Sequence, residues 1–135
     1  MGVSLDTSVL MDVLGGNPRT LAEIDKLEGR GLVPVLSTVA VFEVLSGVEF
    51  TKSRTDRATV EVLLRQIPME PFDLDAARRS AEIGAELQRV GTSPGAPDVM
   101  IAGHALARGH TLMTRDHDLA SAGRSLGLTV VALQD

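Results

Sequence analysis

A chain of 135 residues, 44% hydrophobic and 23% charged, has the size and composition of one globular domain, with a core that needs neither disulfide nor structural metal. The absence of cysteine excludes disulfides and thiolate metal sites and is compatible with a reducing cytoplasm. A net charge of −5 and only 2% aromatic residues exclude a broad basic surface and a base-stacking platform, so any nucleic-acid role has to rest on local features.

Residues 3–5 read as a short buried strand, and 10–14 as a helical turn closed by Gly15 and Gly16. Pro18–Glu28 has a helical apolar stripe (Leu21, Ile24, Leu27, with Ala22 beside it), ended by Gly29 and Gly31. Residues 32–36 form a second predicted strand, in which Pro34 points to an edge or irregular position. Ser37 or Thr38 caps a helix reaching about Phe50. Residues 51–57, "TKSRTDR", read as an exposed loop before another helix over 58–67. "PMEPF" at 68–72 is a short strand candidate. Asp73 caps a long helix to about Val90, with Ala76, Ala77, Ile83, Ala85 and Leu87 on its apolar side.

The breaker-rich "GTSPGAP" precedes a helix from Asp98 to Arg108, and Gly109 ends it. Thr111–Thr114 is a strand, 119–126 a helix and 128–133 the last strand. No linker, repeat or low-complexity tract divides the chain, so 1–135 is expected to be a single domain. Strands alternating with helices predict an α/β fold with a central parallel sheet covered on both faces. The N-terminus has neither the basic region nor the apolar core of a signal peptide, and no segment approaches the ~20 apolar residues of a membrane span.

Acids fall at telling places. Ligands of open α/β sheets bind at the carboxyl ends of the strands. Asp6 follows the first strand directly, and Asp116 lies just past the Thr111–Thr114 strand. Glu43 interrupts the otherwise apolar "STVAVFEVLSGVEF" on a face of small residues, where an uncompensated carboxylate is costly. Asp98 follows Pro97 at a helix start, where the dipole favours an anion. Each has an ordinary explanation alone: helix caps for Asp6, Asp116 and Asp118, a first-turn acid for Asp98, a salt bridge for Glu43. His104, His110 and His117 lack a zinc-ligand spacing and read as surface or helix positions. Together, however, clustered carboxylates raise one another's pKa, and a protein that gathers them usually holds a cation there. Oxygen-only ligands suit Mg²⁺ or Mn²⁺.

"LDTSVL", "FEVLSG", "GAPDVMIAGHAL" and "LMTRDHDL", in this order over nearly the whole chain, resemble the PIN-domain ribonucleases, most closely the VapC-type toxins of bacterial toxin–antitoxin pairs. The resemblance implies a PIN-like α/β/α fold with a parallel sheet of four to five strands, and cytoplasmic, metal-dependent endonuclease activity on RNA, with tRNA or ribosomal RNA as the usual substrate. It assigns Asp6, Glu43, Asp98 and Asp116 to the acidic quartet that binds Mg²⁺ or Mn²⁺. Thr7, Ser8 and Thr114 occupy supporting positions. The last motif departs from the family's usual pattern and leaves Asp116 and Asp118 as alternatives for the fourth acid, with Asp116 nearer the strand end. The implied reaction is in-line attack of metal-activated water on a phosphodiester, leaving 5′-phosphate and 3′-hydroxyl ends. Lys52, Arg54, Arg57 and Arg115 are candidates for RNA contact. A cognate antitoxin and a second copy of the chain are the implied partners, and apolar residues in the helices at 38–50 and 58–67 exceed what one buried face needs.

Three alternatives stand beside this reading. A haloacid-dehalogenase-type phosphatase needs a second Asp two residues after the first, where this chain has Ser8. A receiver domain wants a late lysine, and none follows Lys52. A non-catalytic module on the same scaffold, binding RNA or a partner, is the remaining alternative.

Overall fold

The computed structural model describes residues 1–51 and 54–134. Five strands, β1 (Gly2–Leu5), β2 (Val33–Ser37), β3 (Met69–Glu70), β4 (Thr111–Thr114) and β5 (Val130–Ala132), form one sheet in the order β3-β2-β1-β4-β5, every pair parallel. Seven helices are described: α1 (Thr7–Leu14), α2 (Pro18–Glu28), α3 (Thr38–Thr51), α4 (Arg54–Gln66), α5 (Leu74–Arg89), α6 (Ala96–Arg108) and α7 (His117–Ser125). Among the described residues no helix is long and apolar enough to cross a membrane.

The central strands β1 and β4 are buried at every residue, which is why they read as continuous apolar runs instead of alternating ones. Leu5, Leu36, Leu112 and Met113 from the sheet pack with Val9, Leu10, Ile83, Leu87, Ile101 and Leu119 from the helices, all fully buried. Helices α5 and α6 meet at Gly103, where a Cβ would overlap Ser80. That close approach fixes α6 against the domain, and α6 carries Asp98.

Several sequence expectations are corrected. Pro34 is not on an edge strand, since β2 lies between β1 and β3. Its stretch is nonetheless edge-like. Val33 N–H donates to Met1 O towards β1, and Leu36 N–H donates to Pro68 O towards β3. Alternation therefore aims the donor that Pro34 lacks at the β3 side, where pairing begins only at Leu36. Residues 51–57 are not one loop: α3 runs through Thr51 and α4 starts at Arg54, so charge here marks a solvated helix end. α1 begins at Thr7, three residues before the expected turn, because Asp6 caps it. On α5, Ala76, Ile83 and Leu87 are buried, but Ala77 and Ala85 are exposed, and Ser80 takes a core position instead.

Candidate active site

β1 and β4 are neighbours, and the chain leaves them in opposite directions across the sheet, β1 towards β2 and β4 towards β5. This is a topological switch point, where the two connections part and open a crevice at the carboxyl edge. Asp6 and Asp116 stand there.

Asp6 ends β1 because its side chain is worth more as a cap than as a strand residue. Its Oδ1 accepts the N–H of Val9 at 2.9 Å and the hydroxyl of Ser8 at 2.9 Å, and its Oδ2 accepts the hydroxyl of Thr114. It is buried. Asp116 caps α7 in the same way, Oδ1 accepting Leu119 N–H at 3.0 Å. Its own N–H donates to Thr114 Oγ at 3.1 Å. The Thr114 hydroxyl thus joins the two strand ends: it accepts from Asp116 and donates to Asp6. Asp98 is the third residue of α6, whose cap Gly95 offers no side chain. Glu43, half-buried on α3, accepts the hydroxyl of Thr7, the first residue of α1.

Asp98 lies within the charge field of the other three acids. Asp98 is pushed up to about 6, first by burial and then by the charges of Asp6, Glu43 and Asp116. Asp118 plays no part in that shift and is exposed on α7. Three of the acids sit at the N-terminal ends of helices α1, α6 and α7, whose positive dipole ends offset part of the repulsion. Among the described residues no three acids or histidines form a closed clasp around an ion. Asp6, Glu43 and Asp116 each have an oxygen engaged by a hydrogen bond, from Val9 and Ser8, from Thr7 and from Leu119 respectively. The donor set is all oxygen, which fits a hard cation such as Mg²⁺ or Mn²⁺ that keeps several waters and takes few direct ligands.

Beside Glu43 runs a groove of about 410 Å³ between α1, α3 and α4, lined mainly by apolar residues, among them Met11, Val44, Val48 and Val60. Phe42, Phe50 and Val62 lie exposed on α3 and α4, the surplus apolar residues anticipated from sequence. The basic candidates are occupied or undescribed. Arg57 pairs with Glu49 at 2.7 Å. Arg115 pairs with Asp12 and donates to Thr20. Lys52 and the side chain of Arg54 lie outside the described residues.

A second cluster escaped the sequence reading. His104 is fully buried in α6 and not on the surface; neither ring nitrogen has a hydrogen-bond partner. Its Nε2 lies 3.5 Å from Glu70 Oε1, which also meets Nε2 of His110 at 2.7 Å. The N–H of Gly2 donates to His110 Nδ1 at 3.1 Å, so the neutral ring carries its proton on Nε2, facing Glu70. In that tautomer Nε2–H donates to the Glu70 carboxylate, so the cluster is joined by a charge-assisted hydrogen bond. Burial would raise Glu70, but the hydrogen bond and charge of His110, with His104 and Arg108, hold it below its usual value. Burial holds His104 below its usual value against the pull of Glu70. No spacing signal announces this trio, because its members lie on β3, on α6 and just before β4.

Acids gathered at the switch point of a parallel sheet define an α/β protein with an oxygen-rich acidic site. Comparison with known proteins narrows the class. Residues 3–125 match the sequence model of the PIN domain. The chain is 30% identical over 113 residues to the tRNA(fMet)-specific endonuclease VapC of Shigella flexneri, a match covering 83% of this chain and 84% of that one. The structure of DNA-bound VapBC from Salmonella typhimurium superposes with a TM-score of 0.79 at 28% identity over 98% of each chain. VapBC2 from Rickettsia felis, bound to a promoter DNA fragment, shares the fold with a TM-score of 0.80 at 21% identity, over 99% of this chain and 100% of that one. The chain belongs to the PIN-domain family, and within it to the VapC type found in toxin–antitoxin pairs.

Proposed function

We propose that this protein is a divalent-metal-dependent endoribonuclease, the toxin of a toxin–antitoxin pair, with Asp6, Glu43, Asp98 and Asp116 as its catalytic acids. The observation that carries the proposal is the convergence of four acids from separate segments on one crevice at the carboxyl ends of β1 and β4. When bound, Mg²⁺ or Mn²⁺ supplies a hydroxide-like nucleophile from water and stabilises the charge of the departing oxygen. The chain does the rest. Asp6 and Asp98 would hold the ion directly. Thr114 and Ser8 hold Asp6 through its two oxygens, and Thr7 holds Glu43. Asp116, not Asp118, is the fourth acid, since it alone of the two is coupled to Asp98. Water adds to phosphorus and the 3′ oxygen leaves with a proton, giving 5′-phosphate and 3′-hydroxyl ends. Bound metal offsets the acidic pocket locally, which reconciles an anionic substrate with a chain of net charge −5.

The reading extends to cytoplasmic partners. The substrate is a tRNA or ribosomal RNA, in line with the tRNA named for the Shigella relative. An antitoxin covers the groove beside Glu43, and a second copy of the chain covers part of the exposed apolar surface of α3 and α4.

The test is cleavage of defined structured RNAs by purified protein, free of antitoxin, with Mg²⁺ or Mn²⁺. Metal-dependent cleavage that disappears in Asp6→Asn and Asp98→Asn is expected. Cleavage surviving both substitutions would refute the site. Tight RNA binding without any cleavage would favour a binding module on the same scaffold.

A further inference from the structure

Arg115 lies between Thr114, the last residue of β4, and Asp116, the cap of α7. Beside an acidic pocket a guanidinium invites the role of phosphate clamp, but Arg115 also contacts α1 and α2. It pairs with Asp12 Oδ2 and donates to Thr20 Oγ at 3.2 Å. Thr20 Oγ in turn donates to the same Asp12 oxygen at 2.6 Å. The triangle is closed and sheltered: Thr20 is buried, and the side chains of Arg115 and Asp12 are each 22% exposed. An ion pair so placed is screened far less than one on the surface.

Its three corners belong to three elements. Asp12 is on α1, the helix whose cap is Asp6, and Thr20 is on α2. Arg115 is in the turn that carries Asp116. The turn at 114–116 is therefore fastened on both sides of residue 115. Thr114 ties it to Asp6 within the pocket, and Arg115 ties it to α1 and α2. Asp6 and Asp116 stand on the two bodies this tether joins.

We propose that Arg115 is a positioning residue: its pair with Asp12, locked by Thr20, holds the 114–116 turn against α1 and so sets the relative placement of the Asp6 and Asp116 carboxylates. The proposal rests on the reading of those acids as the cation-holding site. Both contacts are made by one guanidinium nitrogen, Nη2, whose direction is fixed by the planar group, whereas an ammonium on a flexible stem rotates freely.

The test uses the full chain carrying Arg115→Gln, Arg115→Lys, Asp12→Asn, or the exchanged pair Asp12→Arg with Arg115→Asp. Mn²⁺ affinity is measured without RNA by electron paramagnetic resonance. Cleavage kinetics and the salt dependence of RNA binding are measured alongside, with circular dichroism reporting the fold. Arg115→Gln and Asp12→Asn are expected to weaken Mn²⁺ binding and to lower kcat by similar factors, about 10-fold. KM and the salt slope stay unchanged, Arg115→Lys falls in between, and the exchanged pair recovers part of the loss. Where Arg115→Gln fails to fold, Arg115→Lys and Asp12→Asn decide. The proposal is overturned if Arg115→Gln weakens RNA binding and lowers the salt slope by about one while Mn²⁺ affinity and Asp12→Asn remain as in the parent. That result would make Arg115 a phosphate contact and leave the nuclease reading intact. A parent chain that binds no Mn²⁺ would remove the functional reading and this proposal together.

Discussion

At the carboxyl edge of the sheet four acids of like sign face one another, whereas between β3 and the end of α6 a single acid, Glu70, is shared by two histidines and flanked by Arg108. The first cluster is held together against its own charge by hydroxyls, helix caps and helix N-termini. The second is held together by its charge. Helix α6 runs through both, carrying Asp98 in its first turn and His104 further along. A scaffold gains nothing in stability by crowding carboxylates, so a repulsive cluster kept in place by dedicated donors is the better pointer to chemistry. The attractive cluster, mostly withdrawn from solvent, is what a fold uses to fasten a two-residue edge strand.

The difference has an opposite sign in pH. Asp98 is raised, so the proton is bound more tightly in the native state, and stability rises as pH falls from about 6 towards 4. Glu70 and His104 are both lowered. Their contribution is present above the unfolded values and is lost on acidification, beginning below about 6.5 for the histidine.

The largest effect is expected from Asp98→Asn. Cleavage should fall more than about 100-fold, beyond the loss typical of a supporting partner. At pH 7 to 8 the variant should nevertheless melt higher than the parent, and that gain should shrink towards pH 4. A thermal scan across pH beside a cleavage assay reads both, and a variant that melts lower at pH 8 would contradict the repulsive description. Thr114→Val comes next. Asp6 loses a donor and Asp116 N–H loses its acceptor, so activity should drop roughly 10- to 100-fold in a single-turnover assay. Glu70→Gln should leave cleavage as it is and cost about 1–3 kcal/mol in urea unfolding. If cleavage fell with it, the two clusters would be coupled along α6. The smallest effect belongs to His104→Leu. Neither ring nitrogen has a hydrogen-bond partner to lose, so unfolding at pH 7.5 should change by less than about 1.5 kcal/mol. At pH 5.5 the variant should be the more stable, because the unfolded parent takes up a proton that its buried ring resists.

The acid pocket was legible because strand ends and helix starts are written in local sequence. Asp6 after an apolar run, Asp98 after Pro97 and Asp116 after Thr111–Thr114 need only the α/β alternation to converge. The choice between Asp116 and Asp118 was not legible, because which of them acts on Asp98 depends on how the end of β4 meets α6. The Glu70 cluster was illegible because its residues share no element and its acid sits on a strand of two residues. "TKSRTDR" misled for a different reason. Polar residues at the ends of α3 and α4 look like a loop, but Arg57 answers Glu49 across the connection. Pro34 was half legible, since its missing donor marks an unpaired side and does not say how far the neighbouring strand extends. On α5, Ala77 and Ala85 were assigned to the core because alanine fits either face, whereas Ser80 lies inside by donating to Ala76 O at 2.7 Å.

Asp6 and Asp116 each cap a helix with the same carboxylate that serves the pocket. Asparagine caps a helix about as well as aspartate, yet as a neutral ligand it is a poor host for a hard cation. One base change in either codon turns Asp into Asn. On the proposed function, Asp116→Asn would therefore disarm the chain while keeping the α7 cap, whereas Asp6→Asn would also remove the acceptor of the Thr114 hydroxyl. The proposed nuclease thus has a short mutational route to a folded, inactive protein that still presents the same outer surface.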